Sequence, residues 1–193
     1  MSEEQNDKYY IMKVYNPDRM LLASMPPLPK RMKDGWRFGQ TFTVEPEQPI
    51  KVSITDGYED KELVSFFNNP PVVSQQFFDA LVEAGVDNLI AYDVIIQSKD
   101  GSISIEGYKA INIIGLVKAA GPGTVYVGDS RLIDAGIDGL EIEPQSIKGL
   151  LMFRLAEDTS AIVVHEKVKR HLESKGFHSL VFTEPGDYFS LGV

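Results

Sequence analysis

Two segments of the 193-residue chain resemble each other when the sequence is shifted against itself by 91 positions. Residues 72–90, VVSQQFFDALVEAGVDNLI, align without a gap on residues 163–181, VVHEKVKRHLESKGFHSLV. In each copy a β-rich run precedes a helical pattern, and a glycine separates that pattern from a second β-rich run. The repeat therefore predicts two strand-helix-strand units, at about 72–92 and 163–183. The five identical pairs are Val72 with Val163, Val73 with Val164, Leu81 with Leu172, Gly85 with Gly176, and Leu89 with Leu180.

The first copy carries signals for both ends of its helix. Ser74 can accept a hydrogen bond from a backbone N–H of the first turn, and Gly85 can adopt the left-handed conformation that ends a helix. Between them, apolar residues recur every three or four positions, which indicates a helix packed on a core. A strand from about Leu89 to Ile96 is expected to follow. In the second copy His165 takes the position of Ser74, so we expect it to cap the second helix.

The rest of the sequence predicts strands separated by loops. β-rich runs occur at 9–15, 41–44 and 50–55, and residues 150–156 have the composition of a buried strand. Residues 119–145 are rich in Gly and Asp, which predicts a loop region with one or two short strands. Together these patterns indicate an α+β (mixed α/β) fold, a strand-rich single domain with the two units on a mainly antiparallel sheet. Five identities leave open whether the repeat is a duplication or two instances of a common unit.

Composition limits the class of protein. The chain has no cysteine, which excludes disulfides and thiolate metal clusters. Its first residues, MSEEQNDKYY, are acidic and polar, and its longest mostly apolar run, AINIIGLV, is far shorter than the roughly 20 residues of a membrane span. We therefore expect a cytoplasmic protein without membrane contact. We divide it into an N-terminal strand with a proline-rich connector (1–35) and a domain (36–193) that packs with it as one compact unit.

All three histidines lie in the second copy, where HEKVKRH looks like the zinc-binding helix of a metalloprotease. That motif needs two histidines four residues apart, so that both imidazoles share one helix face. His165 and His171 are six positions apart and would point about 120° away from each other on a helix. His178 lies beyond Gly176, where the helix is predicted to end. The spacing therefore argues against a metal site, and the sequence predicts no metal or cofactor.

The run TVYVGDSRLID, residues 124–134, has a β-rich segment followed by Gly128, Asp129 and Ser130. It resembles the nucleophile block of the GDSL-type, or SGNH, serine hydrolases. Their chemistry also needs a base and oxyanion donors, which come from a later Gly-x-Asn-Asp block and an Asp-x-x-His block. Neither block is present, and only 63 residues follow Ser130. A hydrolase that uses Ser130 is therefore kept as an alternative function.

Several short motifs follow one another between Trp36 and Phe182: WRFG, PPVVSQQFFDALVEAGVDNL, GYKAINI, MFRL and IVVHEKVKRHLESKGFHSLVF. In this order and spacing the chain resembles an immunity-protein family of bacterial polymorphic toxin systems, formerly catalogued as a domain of unknown function. The resemblance implies a cytoplasmic, non-catalytic protein that binds and neutralises a cognate toxin. Its best markers are Pro71 to Ser74, Tyr108 with Asn112, Phe153 with Arg154, and Gly176.

Residues 129–143 form the candidate toxin-binding surface, with five acids and one base. The formal net charge of −9 repels nucleic acids and favours a basic protein partner, such as a nuclease toxin. An acidic surface steers such a partner within a Debye length of about 8 Å at physiological salt. The competing interpretations are a solvated loop and a generic interaction or scaffold protein, and the oligomeric state is left open. The five acids are Asp129, Asp134, Asp138, Glu141 and Glu143.

Overall fold

The computed structural model describes residues 7–15, 22, 35–55, 64–68, 71–128, 135–177 and 179–192. Within these ranges the chain forms thirteen β-strands, two α-helices and two short 3-10 helices. The strands are β1 (Tyr9–Val14), β2 (Ile50–Ser53), β3 (Phe66–Phe67), β4 (Val72–Ser74), β5 (Leu89–Gln97), β6 (Ser104–Ile113), β7 (Leu116–Val117), β8 (Tyr126–Val127), β9 (Ala135–Asp138), β10 (Met152–Leu155), β11 (Ile162–His165), β12 (Leu180–Thr183) and β13 (Phe189–Gly192). The helices are α1 (Gln75–Glu83) and α2 (Glu166–Ser174), and the 3-10 helices span Pro144–Ser146 and Pro185–Asp187.

The strands form two five-stranded sheets and one three-stranded sheet. The first sheet has the order β2-β5-β6-β4-β3, the second has the order β12-β1-β11-β10-β7, and the small sheet has the order β13-β9-β8. Neighbouring strands are antiparallel except for β2 with β5 and β7 with β10. The predicted α+β class and the mainly antiparallel pairing are confirmed. Within the described ranges, no helix has the length and apolar composition needed to cross a membrane.

The repeat predicted from the sequence is present in the fold at the same offset. α1 begins at Gln75 and α2 at Glu166, and the strands that follow them begin at Leu89 and Leu180. In each unit an antiparallel strand lies between the two strands that the helix connects: β6 lies between β4 and β5, and β1 lies between β11 and β12. Both units are therefore split β-α-β arrangements. They lie in different large sheets, which corrects the prediction that both units share one sheet. The second unit takes its inserted strand, β1, from the N-terminal part of the sequence.

The inserted strands also share one register. Ser74 pairs with Tyr108 in the first sheet, and the corresponding residue His165 pairs with Tyr9 in the second. The strands that leave the helices pair with the inserted strands in matching register as well. β1 and β6 are therefore structurally equivalent. A uniform shift of the sequence does not detect this, because one inserted strand follows its unit and the other precedes it.

The predicted helix ends are confirmed. The hydroxyl oxygen of Ser74 accepts a hydrogen bond from a first-turn backbone N–H at 3.2 Å. In the second unit Nδ1 of His165 accepts one from the backbone N–H of Lys167 at 3.1 Å. Gly85 and Gly176 follow the helices with φ values of 97° and 82°, which glycine adopts without steric cost. Both helices are thus followed by a glycine in the left-handed conformation.

The two helices share one core between the large sheets. Leu81 of α1 and Leu172 of α2 are fully buried there, together with Met12 and Ile111 from the inserted strands. Each large sheet therefore turns one face toward the helices. The opposite face of the first sheet packs on a separate cluster, whereas the opposite face of the second sheet is covered by the small sheet through Ile137. The small sheet is thus an addition to the second unit.

One predicted strand, at 41–44, is wrong. These residues lie in a loop, in which Phe42 packs edge-on against Trp36 and stacks on Tyr92, with ring centroids 4.9 and 5.6 Å apart, respectively. Burial of the ring decides the local structure here, because β-propensity is weak beside such packing. Two other predictions are confirmed. β10 is buried throughout, and the described part of 119–145 contains two short strands, β8 and β9.

Candidate protein-binding surface

Three of the five acids predicted to bind a partner lie at or next to the small sheet. Asp138 is the last residue of β9, and Glu141 and Glu143 follow it before the first 3-10 helix. Asp129 and Asp134 lie outside the described residues. The three described carboxylates differ in what they contact, and this difference decides which of them is available to a partner.

Glu141 and Glu143 hold neighbouring loops of their own chain. The carboxylate of Glu141 accepts a hydrogen bond from the backbone N–H of Gly123, which ties the turn before β8 to this segment. The carboxylate of Glu143 accepts one from the hydroxyl of Ser146 at 3.0 Å. Both side chains still contribute negative charge. Their oxygens, however, are already used to position the loops on which they lie.

Asp138 has a different environment. Its side chain is exposed, and no described residue gives it a hydrogen bond or a salt bridge. The preceding residue, Ile137, is fully buried under the small sheet. Because successive side chains of a strand point to opposite faces, the carboxylate of Asp138 points away from the core. Among the described members of the acidic stretch, Asp138 is the one whose carboxylate makes no hydrogen bond or salt bridge with a described residue.

The side chains around Asp138 are apolar. Phe189 of β13 lies directly opposite Asp138, and Val127 of β8 lies opposite Gly136. A Cβ atom at Gly136 would lie 2.9 Å from Cβ of Val127, so a glycine is needed for this close approach. These residues and two of their neighbours form the side of the small sheet that faces solvent. We call this side the outer face, and it consists of Val125, Val127, Gly136, Asp138, Phe189 and Leu191.

The apolar members of the outer face are strongly exposed. The exposed fractions are 54% for Val125, 41% for Val127, 52% for Phe189 and 76% for Leu191. Single exposed apolar residues are common, whereas a group of them on one face is typical of interaction sites. The outer face therefore combines apolar area with one negative charge that no described residue pairs. That combination can bind a protein surface that offers a cation among apolar groups.

A buried polar network holds β13 in place. Tyr188, which is 2% exposed, donates a hydrogen bond from its hydroxyl to Asp158 at 2.6 Å, and the hydroxyl of Ser160 donates to the same carboxylate at 2.6 Å. Burial by itself would raise the pKa of Asp158, but the hydrogen bonds from Ser160 and Tyr188 outweigh it and hold the pKa of this carboxyl below its usual value. Lys13 adds a cation 4.5 Å from the centre of the Tyr188 ring. The strand that carries Phe189 thus has a fixed position.

The residues that mark the family resemblance position loops. The side chains of Tyr108, Asn112 and Arg154 each donate a hydrogen bond to a backbone carbonyl, at 3.1, 2.7 and 2.9 Å, respectively. Arg154 is 1% exposed, and its pKa is lowered to about 10 by burial and, to a smaller extent, by the charge of Arg37. These markers therefore identify positions in the fold, and they do not form part of the outer face.

The residues considered for catalysis or metal binding have other surroundings. Ser130 and His178 lie outside the described residues, so the hydrolase alternative stays a prediction. His165 caps α2, and Nε2 of His171 lies 3.3 Å from the carboxylate of Glu83 on α1. In the part of the chain that the structure describes, no group of three or more His, Asp or Glu side chains could hold a metal ion.

Comparison with known proteins adds no relative: no family model matches the sequence, and no curated protein matches it significantly. The resemblance to immunity proteins stays a prediction, which depends on the order and spacing of its motifs. The outer face is therefore the feature of the structure that bears most directly on a function.

The charge pattern of the sequence identifies Asp138 as a candidate but gives no indication of the apolar residues around it. The available signal was the alternation of large and small side chains in Phe189–Gly192, which is typical of a strand with one apolar face. That alternation does not tell whether the apolar face is buried or exposed. Only the pairing of β13 with β9 shows that Phe189 and Leu191 lie on the face of the small sheet that is exposed to solvent.

Proposed function

We propose that this protein is a non-catalytic immunity protein, which binds a basic bacterial toxin through the outer face and thereby neutralises it in the cytoplasm. The observation that carries the proposal is the exposure of four large apolar side chains around the carboxylate of Asp138, which no described residue pairs. Covering such side chains with a partner stabilises a complex by about 25 cal/mol for each Å² of apolar surface removed from water. The family resemblance supports a toxin as that partner.

The charge of the chain supports a basic partner. A formal net charge of −9 produces a negative potential that speeds association with a basic protein and slows association with an acidic one. An immunity protein must capture its toxin before the toxin reaches its target. A high association rate is therefore useful for this function in particular.

The apolar residues and Asp138 have different roles in such a complex. The apolar residues supply affinity, because their burial does not depend on the details of the partner. Asp138 supplies selectivity, because an interface that covers it removes water from its carboxylate. A partner with an arginine or lysine at that point compensates the lost hydration, whereas a neutral or acidic partner leaves a buried unpaired charge.

Coexpression tests the proposal. Each protein encoded next to this gene is expressed in a bacterial host, with and without this protein, and growth is measured. We expect one neighbouring product to be toxic and growth to be restored by coexpression. If no neighbouring product is toxic, or if no toxic product is relieved, the proposal is wrong. Ser130→Ala should restore growth as well as the wild type, and loss of rescue in that variant would favour the hydrolase alternative.

A matched pair of variants tests the location of the surface. Val125 lies on the outer face and Val82 lies on the exposed side of α1, and their exposed fractions are 54% and 51%. We expect Val125→Asp to weaken binding to the toxin identified by coexpression by about 30-fold, which is typical of a central interface residue. Val82→Asp introduces the same charge elsewhere and should change the affinity by less than about twofold. Equal effects of the two changes would contradict the location.

A further inference from the structure

Among the described residues β9 is the one neighbour of β13 in the small sheet, so β13 lies at an edge of this sheet. The backbone N–H of Asp138 donates to Val125 on the other side of β9 at 2.8 Å, and the backbone N–H of Gly139 donates to the carbonyl of Tyr188 at 2.9 Å. In an antiparallel pair these bonds make Phe189 and Asp138 a non-hydrogen-bonded pair, so the N–H and C=O of Phe189 point away from β9. Among the described residues, none forms a backbone hydrogen bond with them.

In the part of the chain that the structure describes, this edge lacks the usual protection against strand addition. Proteins block exposed edges with proline, with charged side chains, or by covering them. β13 has the sequence FSLG, which contains neither proline nor a charged residue. Phe189 and Leu191 on the same strand are 52% and 76% exposed. An extended segment of a partner can therefore pair with β13 through its backbone and cover these side chains.

The pairing of Phe189 with Asp138 also indicates which side chain the partner brings. In a non-hydrogen-bonded pair the two side chains lie close together on one face. A strand added beyond β13 is separated from β9, which carries Asp138, by two strand spacings, or roughly 10 Å. Its residue opposite Phe189 must therefore span about that distance to reach Asp138. An arginine or lysine covers that distance by lying across the Phe189 ring, whose face attracts cations, with its charged end at the carboxylate.

We propose that the partner docks by adding an extended segment to β13 as a fourth strand of the small sheet, with an arginine or lysine opposite Phe189 that reaches Asp138. The identity of the partner as a basic toxin rests on the proposed function, whereas the docking mode is a property of this surface. A second copy of the chain is a poorer occupant, because two molecules that each carry a formal net charge of −9 repel each other.

A peptide titration tests the docking mode. The probe is the capped pentapeptide Val-Thr-Arg-Thr-Val, whose pattern is the same in both strand directions, and the control is Val-Thr-Glu-Thr-Val. In ¹⁵N NMR spectra of the full chain, we expect the arginine peptide to shift the amide signals of Phe189 and Asp138 in a saturable way. The glutamate peptide should bind at least about tenfold more weakly. Equal binding of both peptides, saturable shifts confined to other regions, or no saturable shift would overturn the proposal.

Two substitutions at Phe189 separate the backbone from the side chain. Phe189→Ala removes the ring but keeps the outward N–H, and Phe189→Pro removes both without taking a hydrogen bond from the pair with β9. We expect weakened binding of the arginine peptide in Phe189→Ala and no saturable binding in Phe189→Pro. Thermal unfolding of both variants checks that the fold is kept. Binding by folded Phe189→Pro at the level of Phe189→Ala would overturn the proposal.

A charge variant keeps the test decisive if Phe189→Pro does not fold. Asp138→Asn should remove the preference for the arginine peptide over the glutamate peptide. Asp87→Asn, an exposed acid after α1, removes the same charge and should keep the preference. If both variants keep it, Asp138 does not receive the cation and the proposal is wrong.

The docking mode and the immunity function fail in different ways. If the arginine peptide docks on β13 but coexpression restores growth with no toxin encoded next to this gene, the docking mode stands and the immunity function is wrong. If wild type, Phe189→Pro and Asp138→Asn all restore the growth of toxin-expressing cells equally well, the immunity function stands and the docking mode is wrong.

Discussion

The two repeated units have the same backbone plan, and they differ in what covers the sheet face opposite the helices. In the first sheet the residues of that face, among them Val52 and Phe67, pack with Leu22 and Phe42 from outside the strands. In the second sheet the small sheet covers it through Ile137 and Tyr188, and the small sheet turns its own outer face to solvent. The repeated part is therefore a scaffold. The candidate surface lies on the element that only one of the two units has among the described residues.

Substitutions in the core that the two units share are expected to lower the free energy of unfolding most. Leu81 and Leu172 occupy equivalent positions and are both fully buried. We expect Leu81→Ala and Leu172→Ala each to lower the free energy of unfolding by about 2–5 kcal/mol. Each variant should still unfold in one transition, because both helices contribute to one core. Urea denaturation followed by circular dichroism measures this, with exposed Val82→Ala as the control. Two separate transitions would show that the units fold independently.

A smaller effect on the free energy of unfolding is expected when either of two buried tyrosines, one from each half, is changed to phenylalanine. Tyr188 donates to the carboxylate of Asp158 at 2.6 Å, and Tyr108 donates to the backbone carbonyl of Val64 at 3.1 Å. Hydrogen bonds to charged groups contribute more than neutral ones, so Tyr188→Phe should lower the free energy of unfolding by about 1.5–3 kcal/mol and Tyr108→Phe by about 0.5–1.5 kcal/mol. Equal losses in urea denaturation would mean that the small sheet is not anchored through Asp158.

For the same two variants we expect the loss of stability to depend differently on pH. The pKa of Asp158 lies below its usual value in the folded protein, because its hydrogen bonds outweigh burial. Asp158 thus contributes stability that is present above its unfolded pKa and is lost as the pH falls through its folded pKa. The stability difference between wild type and Tyr188→Phe should be full at neutral pH and smaller in acid. The difference for Tyr108→Phe should not change between neutral and acidic pH, and a parallel change in both would contradict this assignment.

The smallest effect is expected at the helix N-termini, where the units use different residues for one role. Ser74 caps α1 with its hydroxyl and His165 caps α2 with its imidazole. We expect Ser74→Ala and His165→Ala each to lower the free energy of unfolding by about 1 kcal/mol. His165→Ser should retain most of the stability, since serine offers the same acceptor. If His165→Ala has no effect while Ser74→Ala does, the imidazole is not a functional cap.

The parts of the fold that were predictable are those whose signals lie close together in the sequence. Ser74, Gly85 and the apolar spacing between them identified α1, and the 91-residue shift transferred that assignment to α2. The strand at 41–44 was predicted wrongly, because burial of the Phe42 ring against Trp36 outweighs local propensity. Of the candidate site, Asp138 was identified by charge alone, and its apolar surroundings were not.

Local patterns were sufficient for the helices, their caps and most strands, because capping bonds and side-chain periodicity act over a few residues. They were not sufficient for strand neighbours or for the face that each strand leaves to solvent. β1 pairs with residues of β11 and β12 that are 150 to 172 positions away, and Phe189 meets Asp138 across about 50 residues. A sequence pattern shows that a strand has an apolar face. Whether that face is buried or exposed depends on distant segments that meet only when the chain folds.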